Sequence, residues 1–105
     1  YNDKIVTLDK GSTVLGMFPQ LPEIKISKLK ISKSFDLFSY TDGLIEIQNA
    51  YGDYYGSSKI KNLFESGRKD PEEFIELVKE DVNNFKGNNI SLDDTTLLMI
   101  SVKNV

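Results

Sequence analysis

Two acidic sites in this sequence sit where metal chemistry could use them. Asp42 directly follows an apolar run, in Tyr40-Thr41-Asp42-Gly43, and Asp93-Asp94 directly precedes another, in Asp93-Asp94-Thr95-Thr96-Leu97-Leu98. If those runs are antiparallel neighbours, the end of one strand and the start of the other share a sheet edge. Carboxylates far apart in the chain would then converge. The chain has no His and no Cys, which removes the thiolate nucleophile, the disulfide, the commonest zinc ligand and the commonest general base. Clustered carboxylates without them suit hard, oxygen-preferring cations such as Mg²⁺ or Mn²⁺. Each site also has an ordinary explanation. Asp-Gly after a strand makes a turn, and Asp-Asp before a strand makes a solvated loop. The residues alone leave both readings open.

The elements that must position these carboxylates belong to one domain of 105 residues. Hydrophobic residues make up 39% and charged residues 28%, the balance of a globular protein rather than a disordered one. The longest apolar run, Leu97-Leu98-Met99-Ile100, is far short of the roughly 20 residues that a membrane helix needs. No membrane span is expected. A net charge of −3 argues against nucleic acid as a partner. The basic stretch Lys25–Lys33 alternates its lysines with Ile, Leu and Ser, as a solvated strand face does. The chain opens on Tyr1 rather than Met with no signal peptide before it, so the expectation is a piece of a longer, cytoplasmic protein.

Along the chain, alternation predicts a short strand over 4–8, and Gly11, Gly16, Pro19 and Pro22 punctuate the stretch after it. Residues 24–31 form a second predicted strand, with a parity switch near Ser27-Lys28 that implies a bulge. A turn at 32–34 would pair it as a hairpin with a strand over Phe35–Thr41. That strand has Phe35 and Leu37 on one side and Phe38 and Tyr40 on the other, so both its faces want cover. Ser57 or Ser58 can cap a helix with Ile60, Leu63 and Phe64 on its apolar face and Gly67 at its end. Asp70, Pro71 and Glu73 open a second helix, which buries Phe74, Leu77, Val78, Val82 and Phe85 and stops at Gly87. A last strand spans Thr96–Val102. The sum is an α+β fold, a mostly antiparallel sheet with two helices on one face.

Four stretches resemble the PPM-class, type 2C-like protein phosphatases, nearest the bacterial stage II sporulation protein E-like branch. Tyr40-Thr41-Asp42-Gly43-Leu44-Ile45-Glu46 resembles the family's hydrophobic-Tyr-Thr-Asp-Gly-Leu-x-Glu signature. Gly11-Ser12-Thr13-Val14-Leu15-Gly16 resembles its Gly-x-x-Leu-Gly element. Tyr55-Gly56 with Lys59-Ile60 resembles Phe-Gly-x-x-Arg-Leu at a helix start, and Asp93 to Leu98 resembles the terminal Asp-Asp-x-Thr-Leu-Leu strand entry. Two departures stand out. Ser34-Phe35 occupies the place of a Gly-Asp pair, and the family's earlier Asp-Gly, whose Asp bridges both metals, has no counterpart.

The resemblance implies that residues 1–105 are the C-terminal part of a PPM-type domain, half of an α-β-β-α sandwich. It implies Asp42 and Asp93 as metal ligands, with Asp94 as a further or alternate one, in a two-metal Mn²⁺ or Mg²⁺ centre. Water bridging such a pair attacks phosphorus in line, with no protein nucleophile. The implied reaction removes phosphate from Ser or Thr of a protein, of the anti-sigma-factor-antagonist type in a partner-switching circuit. With part of the ligand set missing, the chain alone is expected to hold no complete centre and to be silent. Its uncovered sheet face is expected to self-associate or pair with another chain. The rival reading is a non-catalytic pseudophosphatase that only docks proteins. Glu46 is open between a helix-end and a site role, and Tyr51, Tyr54 and Tyr55 are expected to pack.

Overall fold

The computed structural model describes residues 4–9, 11, 16–67, 70–90 and 94–103. Its elements in chain order are β1 (Phe35–Tyr40), α1 (Asp42–Ile45), α2 (Ser57–Glu65), α3 (Pro71–Lys86) and β2 (Leu97–Val102). β1 and β2 pair antiparallel, from Phe35 opposite Val102 to Tyr40 opposite Leu97. The fold class is α+β, with helices packed on one face of an antiparallel sheet.

Strand pleating explains the layering. Phe38 and Tyr40 lie opposite Met99 and Leu97, and all of them pack on the core that α1, α2, α3 and the loop after α1 complete. That core is Leu44, Ile47, Tyr55, Ile60, Phe74, Val78 and Val82. Three rings knit sheet to helices. Phe74 meets Phe38 edge-on at 4.9 Å and Phe64 edge-on at 5.3 Å between centroids, the geometry the aromatic quadrupole favours. Within α3, Phe74, Val78 and Val82 recur every fourth residue, so one stripe faces inward.

The helix ends depart from expectation in two places. Asp70 stands at the N-cap of α3 with Pro71 next, but its carboxylate makes no capping bond. It accepts instead from Lys103 Nζ at 3.2 Å, just beyond β2, so the acid ties helix start to strand end. The N-cap of α2 is Gly56, not a serine. Its φ of 78° lies in the left-handed region, which a residue with a Cβ rarely adopts, and that bend lets the chain leave buried Tyr55 and enter the helix. Gly87 ends α3 as expected.

The predicted strands over 4–8 and 24–31 do not form, and neither does the hairpin between 24–31 and β1. Ile24, Ile26 and Leu29 are exposed. Lys25, Lys28 and Lys30 interleave with apolar residues across the parity switch, so neither face of that segment is apolar throughout and pairing would bury little. Leu97–Val102 is apolar on both sides of its pleat, and it is the partner β1 takes. The sheet face away from the helices carries Phe35, Leu37, Leu98, Ile100 and Val102, of which Leu98 and Ile100 are exposed. Among the described residues no helix is long and apolar enough to cross a membrane. Ser12–Leu15 of the Gly-x-x-Leu-Gly element lie outside the described residues.

Tyr55 gives the core a polar fastening. Its hydroxyl donates to Asp81 Oδ2 of α3 at 2.6 Å, and its ring meets Phe85 edge-on at 5.4 Å. Burial, then that hydrogen bond, then the charge of Asp81 hold the phenol well above its usual pKa.

Two measurements check this packing. Phe74→Ala should cost about 3–5 kcal/mol by urea unfolding, because it empties the point where three rings meet. The folded phenol of Tyr55 keeps its proton more tightly than the unfolded one, so its stabilisation is complete below pH about 10 and declines as pH rises further. Tyr55→Phe should flatten that alkaline decline in unfolding free energy. An equal decline in both proteins would show that Tyr55 is not its source.

Candidate functional site

The site edge is built where β1 ends. Thr41 is extended (φ −86°, ψ 161°) and is the N-cap of α1. Its carbonyl accepts from Leu44 N–H at 3.0 Å, and the Asp42 carbonyl accepts from Glu46 N–H at 3.0 Å, so the chain turns from strand to helix within one residue. β2 starts at this same edge. One step past the Tyr40–Leu97 pair, Thr41 N–H donates to the Thr96 carbonyl at 3.1 Å. The reciprocal bond uses a side chain, since Thr96 N–H donates to Thr41 Oγ1 at 3.0 Å. The Thr41 hydroxyl in turn points a long 3.5 Å bond at the Asp94 carbonyl.

Gly43 sets how closely the two segments meet. A Cβ there would overlap the Asp94 carbonyl oxygen, lie 2.9 Å from its carbon and 3.2 Å from Thr95 Oγ1. The α1 backbone therefore rests directly on the entry to β2, and only a residue without a side chain fits between them. Leu44 behind it is fully buried and pins α1 to the core. Asp42 and Asp94 are both exposed, on the two segments that this contact joins. Asp93 lies outside the described residues.

Carboxylate oxygens at one edge are the donor type that Mg²⁺ and Mn²⁺ prefer. Their number does not complete a site: among the described residues no group of three or more Asp, Glu, His or Cys gathers as a metal cage would need. The donor type of Asp42 and Asp94 fits a hard cation, and the group they form among the described residues is short of a complete cage.

The loop after α1 is ordered by Asn49. Its Oδ1 accepts from Tyr51 N–H at 2.9 Å and Asp53 N–H at 3.0 Å, while Gln48 and Tyr54 form a single bridge. Tyr55 N–H and Gly56 N–H return to the carbonyls of Ile47 and Ile45 at 2.7 and 3.0 Å, fastening the loop to α1. Tyr55 packs as expected, but Tyr51 and Tyr54 do not, being 90% and 63% exposed. The turn that Asn49 stabilises lifts them off the core. Glu46 is the C-cap of α1, with its side chain exposed. Lys59, at the Arg position of the helix-opening motif, lies 5.1 Å from the Phe85 ring centroid.

Sequence reasoning missed α1 and the role of the Thr41 side chain. Thr41 is a residue type that caps helices, but it makes no capping bond, and its contact with Thr96 exists only once the strands are in register.

Gly43→Ala tests the contact between α1 and the β2 entry. It should destabilise by about 1–3 kcal/mol through overpacking against backbone, read by thermal unfolding. A variant as stable as the parent would show that the two segments separate at no cost.

The family described as Stage II sporulation protein E (SpoIIE) matches over residues 2–103. No curated protein and no solved structure matches the chain. The match spans β1, α1, α2, α3 and β2, with the Thr-Asp-Gly turn and the Asp-Asp strand entry both inside it. The chain belongs to the stage II sporulation protein E family of PPM-type phosphatases.

Proposed function

We propose that this chain is the C-terminal part of a metal-dependent phosphatase domain that removes phosphate from Ser or Thr of a protein. The observation that carries the reading is the contact of the Thr41-Asp42-Gly43 turn with the Asp94–Thr96 strand entry, which joins two acidic motifs of the family at one sheet edge. In this reading Asp42 and Asp93 are metal ligands and Asp94 a further or alternate one. The remaining ligands come from a part of the domain outside this chain. A bound Mn²⁺ or Mg²⁺ pair supplies an acidified water and neutralises phosphoryl oxygens.

The chain's own residues supply geometry and charge. The exposed carboxylate of Asp42 is held at the first turn of α1, whose backbone cannot drift because Leu44 is buried and Gly43 abuts Asp94. With no His or Cys in the chain, it offers neither an imidazole base nor a thiolate nucleophile, and this agrees with attack by water. The substrate proposed is a phosphorylated anti-sigma-factor antagonist, and the exposed face of the sheet at Leu98 and Ile100 is proposed to pair with another chain or with the rest of the domain. The rival reading is a protein-binding pseudophosphatase, and the presence of both Asp42 and Asp93 in the sequence argues against it.

In the full-length protein, Asp42→Asn and Asp93→Asn should each lower Mn²⁺-dependent hydrolysis of a phosphoserine peptide by more than about 100-fold, since losing even an outer partner of a metal ligand costs about 10–100-fold. Unfolding free energy should change by less than about 1 kcal/mol, because Asp42 is an exposed residue away from the core. Activity within about threefold of wild type in both variants, at sub-saturating Mn²⁺, would remove these residues from the site. A wild-type protein with no turnover would favour the pseudophosphatase.

A further inference from the structure

The last rung of the sheet is made in an unusual way. In an antiparallel hydrogen-bonded pair the two residues exchange N–H to carbonyl bonds in both directions. Thr41 and Thr96 keep one of these, from Thr41 N–H to the Thr96 carbonyl. The other carbonyl is not available, because Thr41 O has turned to accept from Leu44 N–H at the start of α1. Thr41 Oγ1 takes its place and accepts Thr96 N–H at 3.0 Å. A threonine at an N-cap ordinarily spends its oxygen on the helix, yet this one makes no capping bond. Its remaining proton points at the Asp94 carbonyl.

We propose that Thr41 is a positioning residue for the acidic edge: its hydroxyl substitutes for its own carbonyl in the β ladder. One residue can then end β1, begin α1 and keep the strand entry that carries Asp94 fastened beside Asp42. The chemistry required is narrow. The group must accept from one N–H and donate toward one carbonyl within one bond of Cβ, which Ser and Thr do and Val and Ala do not. A carboxylate could accept but not donate, and would add charge beside Asp42. The consequence for metal binding rests on the phosphatase reading above, while the substitution within the ladder does not.

The test uses the full-length protein as wild type, Thr41→Val and Thr41→Ser, with two readouts: Mn²⁺ affinity by titration calorimetry and amide exchange at Thr96. Losing one good hydrogen bond and one long one corresponds to about a two- to tenfold effect. Thr96 should therefore exchange about two- to tenfold faster in Thr41→Val, and Mn²⁺ Kd should rise by a similar factor, with both restored in Thr41→Ser. Should Thr41→Val fail to fold, Thr41→Ala carries the same pair of readouts. Unchanged exchange at Thr96 would overturn the proposal whatever happens to the metal. Faster exchange with unchanged Mn²⁺ affinity would overturn the positioning role. If wild type binds no Mn²⁺ while exchange separates Val from Ser, the ladder substitution stands and the metal reading falls.

Discussion

The antiparallel pairing of Phe35–Tyr40 with Leu97–Val102 is the constraint on which the other elements depend. It fixes which side chains meet the helices, because a shift of one residue would exchange Phe38, Tyr40, Leu97 and Met99 for Phe35, Leu37, Leu98 and Ile100. With Phe38 inward, Phe74 has a ring to meet edge-on, and α3 buries Val78 and Val82 in the same core. The same register brings the end of β1 beside the start of β2. Both acidic motifs of the family thus meet because the strands pair, and the contacts of Thr41 and Gly43 hold them there.

Polar contacts in this molecule act mainly as connectors between elements whose packing is apolar. Tyr55 to Asp81 links the loop after α1 to α3, Asp70 to Lys103 links the start of α3 to the end of β2, and Asn89 Nδ2 reaches the Gln48 carbonyl at 3.1 Å. Among the described residues no Asp, Glu, Lys or Arg side chain is fully buried, and the one buried hydroxyl of the core, on Tyr55, is hydrogen-bonded to Asp81. The core therefore carries no desolvation penalty for full charges, which remain at the rim.

Much of this arrangement was legible in the chain because its signals were local. Asp70-Pro71 and Gly87 bound α3, fourfold spacing of Phe74, Val78 and Val82 gave its buried stripe, and the apolar character of residues 35–40 and 97–102 marked β1 and β2 as strands. The illegible part was set by what pairing would bury. Residues 24–31 have β-branched alternation like a strand, yet Lys25, Lys28 and Lys30 leave neither of its faces apolar throughout, and the alternation alone does not weigh that. The α1 turn was hidden because four residues are too few for a periodic pattern. The acidic edge was legible as two motifs, yet their contact depends on Gly43 and Thr41, whose roles exist only once the strands are in register.

The short helix α1 has a thermodynamic consequence. One turn of four residues cannot persist in water by itself, since helix nucleation is unfavourable until further turns are added. It survives here because Leu44 is buried and because the backbone at Gly43 lies on the entry to β2. Detachment of β2 would remove that support, so α1 melts with it and the two acidic segments gain or lose order as one cooperative unit. Asp42 is then never held in its helical setting without its neighbour across the edge. An open edge of this domain would present two flexible acidic segments, and closing the sheet would order both at once.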